Sequence, residues 1–133
     1  MRPLASPHEA YHKVAFDARI EVSDTAQLVH LCYEQLIGAL GTAVHADRID
    51  DNMLRSRSLT RALSAITALQ MGVSGENDVA GALRHFYEAA RRTVLDCVPQ
   101  FDTDALMRLR GDVSDIATAM QAAPIGQSAN GSF

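Results

Sequence analysis

Along Ser23–Val44 the apolar residues recur at helical spacing in two stripes rather than one. One stripe runs Leu28, Cys32, Leu36, Ala39, Ala43, and the other runs Val29, Tyr33, Ile37, Leu40, Val44, with Leu31 between them. Polar residues are few: His30, Glu34, Gln35 and Thr42. A helix packed on one side of a small bundle needs a single stripe of ~100°. The surplus apolar face must meet another helix of this chain or a helix brought by a second molecule. One stripe must be core, and periodicity alone leaves open which.

The same spacing predicts three further helices. The first long helix spans 25–46, roughly 33 Å, with Ser23 and Asp24 as N-cap candidates and Asp24-x-x-Gln27 resembling a capping box. The second carries Leu59, Ala62, Leu63, Ile66, Leu69 and Val73, is capped by Asp50 or Asp51, and stops at Gly72–Gly75. A third, with Asp78 placed as its cap, shows Val79, Leu83, Phe86, Tyr87, Ala90, Val94 and Val98 on one side and ends by Pro99. The fourth, capped by Asp102 or Thr103, has the stripe Leu106, Leu109, Val113, Ile116 and Met120. Short polar links between helices of similar length force antiparallel neighbours. The expected architecture is all-α: an antiparallel up-down four-helix bundle over 23–122. An N-terminal arm over 1–22, with a short helix within 9–19, precedes it, and a disordered Gly/Ser/Asn/Gln-rich tail over 123–133 follows.

Composition narrows the class. A chain of 133 residues is most simply one domain and can bury about two-thirds of its surface. The net charge of −4 gives no field to draw nucleic acid or an acidic membrane. Trp is absent and β-branched runs are missing, so strands are unsupported. Cys32 and Cys97 fall within helical patterns and read as reduced and buried. No secretory pattern follows the N-terminal Met-Arg-Pro, and no window is apolar enough to span a bilayer, so a cytoplasmic protein is expected.

Candidate chemistry is sparse. His8-Glu9-Ala10-Tyr11-His12 matches H-E-x-x-H, which on a helix sets two imidazoles one turn apart for a zinc ion with Glu9 near its water. Pro7 would force that helix to begin at the ligand itself, and the segment lies at the chain end, where ligand geometry is hard to hold. The zinc-hydrolase reading is therefore set aside. Asp112 and Asp115 lack a matching Glu-x-x-His, so a di-metal site is unsupported. Arg55, Arg57, Arg61 and Arg91, Arg92 read as a solvated or ion-paired surface with Asp50, Asp51, Glu88 and Asp96 nearby, because the chain is acidic overall. No catalytic residue, cofactor or metal site is expected.

Several short motifs fall in a suggestive order. Ala10-Tyr11 precedes Ser23-Asp24-Thr25-Ala26-Gln27-Leu28, and Cys32-Tyr33 lies near the middle of the first helix. Arg61-Ala62, Ile66 and Leu69 follow on the second, Phe86-Tyr87 and Arg91-Arg92 on the third, and Asp102 to Met120 make the fourth. This order resembles the flagellin export chaperone family (FliS) over residues 10–121, as a divergent member. Thr25 stands where the family usually has Pro, Met120 stands where Trp is common, and the spacing from Tyr11 to Ser23 is longer.

The resemblance implies a cytoplasmic, non-catalytic chaperone. Its partner would be the C-terminal segment of flagellin, disordered when free and helical when wrapped in apolar grooves, so that premature polymerisation is prevented and export is aided. A component of the flagellar export gate is a further implied partner; nucleic acid and membrane insertion are not. In the family the N-terminal segment can cover the empty groove, which makes Tyr11 a candidate plug, against the alternative that it packs on the bundle end. Val29, Tyr33, Ile37, Leu40 and Val44 are the candidate client-facing positions, against the alternative that they are ordinary core. A homodimeric helical scaffold without a flagellin client is the competing reading, since the surplus face of the first helix would suit a twin as well as a client.

Overall fold

Four segments carry the helical spacing and the caps to start it, and four helices form among the described residues. The computed structural model describes residues 25–122. They hold α1 (Thr25–Arg48), α2 (Asn52–Gly72), α3 (Asp78–Asp96) and α4 (Thr103–Ala122), with no strand among the described residues. None of these helices is long and apolar enough to cross a membrane. The expected N-terminal arm, with Tyr11 and the His8–His12 motif, and the expected tail lie outside the described residues. By its contacts the chain divides after His30, within α1.

The links are short because each helix end is closed locally. At the end of α1, Asp51 N–H bonds to Ala46 O (2.9 Å) and Asp50 N–H to Asp47 O (3.2 Å), the paired bonds of a Schellman motif. Asp50 takes the left-handed position of that motif, at φ 58°. The next residue starts α2: Asp51 Oδ1 accepts from Leu54 N–H at 3.0 Å. Of the two cap candidates, Asp51 is therefore the cap and Asp50 the turn.

The cap of α3 is Asn77 and not Asp78, because its side chain accepts from Ala80 N–H at 2.8 Å. Asp78 becomes the first helical residue, where its charge faces the positive end of the helix dipole. Asp102 caps α4 by accepting from Ala105 N–H at 3.0 Å. The link 73–77 runs beside α3, held by Arg84 Nη2 donating to Gly75 O (2.6 Å). Gly75 has φ 88°, a conformation that side chains disfavour.

α2 packs on α3, and α3 on α4. Two polar pairs give the direction of the first contact. Arg91 Nη1 donates to Thr67 Oγ1 and Gln70 Nε2 to Glu88 Oε1, each at 3.4 Å. Moving forward along α2 means moving back along α3, so the two are antiparallel. The core draws on all four helices: Leu36 and Leu40 of α1, Leu59, Ile66 and Leu69 of α2, Tyr87 and Val94 of α3, Leu106 and Val113 of α4. At the helix ends the predicted stripes run out: Val79, Val98 and Met120 are exposed, while Leu83, Phe86 and Ile116 are half-buried. The two cysteines are free, Cys32 half-buried near the start of α1 and Cys97 buried at the end of α3.

Ser58 is the one buried polar residue among the described core, and its Oγ has no hydrogen-bond partner.

Candidate functional site

The candidate site begins with α1, whose two stripes posed the first question. From Tyr33 onward both turn inward. Leu36, Ala39 and Ala43 of the first stripe are buried, and so are Tyr33, Leu40 and Val44 of the second. The Tyr33 hydroxyl is hydrogen-bonded to that of Tyr87 on α3 (2.5 Å), their rings tilted at 49° with centroids 6.4 Å apart. Arg110 of α4 also reaches α1, Nε donating to Ile37 O at 3.2 Å.

Of the predicted client-facing set, Tyr33, Leu40 and Val44 are buried in this structure. Ile37 and Val29 are half-buried. Tyr11 lies outside the described residues. Apolar surface does remain on α1, nearer its start: Leu28 is 42% exposed and Leu31 52%.

The surroundings of Ile37 hold features that hydrophobic periodicity missed. The Arg110 guanidinium lies against Gly41, where a Cβ would sit 3.2 Å from Nε, so a side chain there would press on the arginine. Gly38, one residue beyond Ile37, is exposed, and a Cβ there would meet nothing within 4 Å. A glycine inside a helix costs about 1 kcal/mol relative to alanine. Gly38 leaves the backbone of α1 bare beside Ile37, while Arg110 covers it at Gly41. The signal was in the sequence, as Gly38-Ala39-Leu40-Gly41 within a strong helical pattern, but without the partner helix nothing distinguished it from ordinary variation.

The chemistry of the pair behind this surface is inert. Burial raises the pKa of both Tyr33 and Tyr87, and for Tyr33 the bond to Tyr87 adds to it. Both phenols stay protonated, one donating to the other. Burial also holds the Cys97 thiol above its ordinary range, which disfavours the reactive thiolate.

Among the described residues no three His, Cys, Asp or Glu are grouped to hold a metal ion. Asp112 and Asp115 are exposed on α4. The arginines divide. Arg55 pairs with Asp47 at 2.7 Å, and Arg92 reaches Glu88 at 3.8 Å in a surface pair. Arg57 and Arg61 project from α2 into solvent. Of the four acidic neighbours named from sequence, only Glu88 partners an arginine here; Asp47 is the partner of Arg55.

The family model described as Flagellar protein FliS matches residues 7–126 of the chain. No curated protein is similar enough to match it.

Proposed function

The chain belongs to the FliS family of flagellar proteins, and on that premise we propose that it is a cytoplasmic export chaperone that holds the C-terminal segment of flagellin until export. Family membership carries this reading. The site adds a physical basis. A client that folds on binding needs a rigid surface with apolar area left to cover. In the proposed site, Tyr33, Leu40 and Val44 brace α1 from behind and Ile37 stands at the rim. Gly38 lets a client helix approach the backbone closely, and exposed Leu31 supplies further apolar area. Val29 and Tyr11 remain proposed client contacts on the N-terminal side, with Tyr11 as the proposed plug of the empty site. The role is binding rather than catalysis, and delivery to an export-gate component would follow it.

Calorimetric titration with the C-terminal segment of flagellin from the same organism tests the reading. One-to-one binding with a large negative heat-capacity change and a gain in helicity is expected. Ile37→Asp and Leu31→Asp should each weaken binding by about tenfold, some 1.4 kcal/mol, while the helical circular dichroism is kept. Unchanged affinity in both variants would move the site away from α1. Absence of heat and of co-elution would remove flagellin as the client.

A further inference from the structure

One end of the bundle differs from the rest of the surface. The end of α1, the start of α2, the end of α3 and the start of α4 meet there, and Arg55 ties them together. Its guanidinium pairs with Asp47 of α1 and lies 5.6 Å from the ring centroid of Phe101, in the link between α3 and α4. Residues 46–56 and 95–105, which build this end, contain Asp47, Asp50, Asp51, Asp96, Asp102 and Asp104 against only Arg48 and Arg55. Their formal charge of −4 equals that of the whole chain.

Large apolar side chains stand among these carboxylates. Met53 is 70% exposed and Val98 62%, with Ile49 and Leu95 also in solvent. A hollow between α3 and α4 is lined by Asp96, Cys97, Gln100, Phe101 and Asp104. Exposed apolar residues grouped with charge of one sign are the mark of an interaction surface rather than of a solvated end.

We propose that this end is a docking surface for a basic amphipathic segment of another protein, separate from the client surface on α1. Charge selects the occupant. A nucleic acid or an anionic membrane is repelled by this net charge of −4. A second copy joined through the same end would set −4 against −4, which opposes the isologous contact of a dimer. No metal-holding group of three ligands occurs among the described residues, so the charge is not explained by an ion. A helix with one apolar and one Lys/Arg face matches both features: its apolar side chains cover Met53, Val98 and the hollow over Phe101, and its cations approach Asp96 and Asp104. This inference does not depend on flagellin being the client.

The test is a titration of the full chain with a synthetic helical peptide, Leu on one face and Lys on the other, followed by amide chemical shifts. Shifts confined to 46–56 and 95–105, and weakening as salt is raised, are expected. Met53→Glu and Asp104→Arg, both at exposed positions, should each lower affinity by about tenfold without changing the melting curve. The same peptide with Glu for Lys should not bind. The inference is overturned if the Glu peptide binds as well, if the shifts fall elsewhere, if neither variant changes affinity, or if the end instead drives concentration-dependent self-association in sedimentation.

Discussion

Asp50 holds a position that favours glycine. Its φ of 58° is left-handed, and it sits at the negative end of the α1 dipole with a carboxylate of its own. Asp tolerates this conformation better than most residues but still pays a strain cost. Asp50→Gly should stabilise the fold by about 0.5–1 kcal/mol, read as a higher midpoint in urea with an unchanged slope. The turn was legible as a polar break with two candidate caps. The division of labour within Asp50-Asp51 was not, because it depends on which carbonyls the two N–H groups reach. The same holds for Asn77 and Asp78: both are good cap residues, and one residue of phase decides between them.

At the scale of elements, α1 and α3 are joined by the Tyr33–Tyr87 hydroxyl pair. Removing one hydroxyl leaves the other buried without its partner, which costs about 1–3 kcal/mol. Removing both leaves no orphan. Tyr33→Phe and Tyr87→Phe should each destabilise, and the double variant should lose clearly less than the two combined, a coupling measurable by a double-mutant cycle in denaturant. Additive losses would mean that the hydroxyls are satisfied independently. Both tyrosines stood out in the sequence as members of apolar stripes. Their pairing did not, because 54 positions separate them and only packing brings them together.

For the whole molecule, the buried protons set the response to alkali. Burial raises Tyr33 and Tyr87 above the ordinary value of 10.0 and Cys97 above 9.0. In the unfolded chain these groups release protons near those ordinary values, while the folded chain still holds them. The unfolded state then binds fewer protons, so stability falls as pH rises. Stability should begin to fall above about pH 9 and fall more steeply above about pH 10. The Tyr33→Phe/Tyr87→Phe double variant should lose much of the steeper fall. Chemical denaturation at a series of pH values, with tyrosinate absorbance as the second probe, checks this.

Local information was enough for the four helices among the described residues, their lengths to within a few residues, and an all-α architecture. Caps, prolines, glycines and the 3.6-residue period act within one or two turns of the chain. The order of short motifs was likewise enough to point to the family. The destination of α1's second stripe was decided by tertiary structure. A helix greasy on two faces looks the same whether the second face meets a client or its own neighbours, and here residues of both stripes are buried from Tyr33 onward, with α3 and α4 each hydrogen-bonded to α1. Tertiary structure also decided that Arg110 lies on Gly41, leaving Gly38 bare, and that carboxylates from two distant stretches gather at one end. These are relations between residues far apart in the chain, and only the packing of helices side by side creates them.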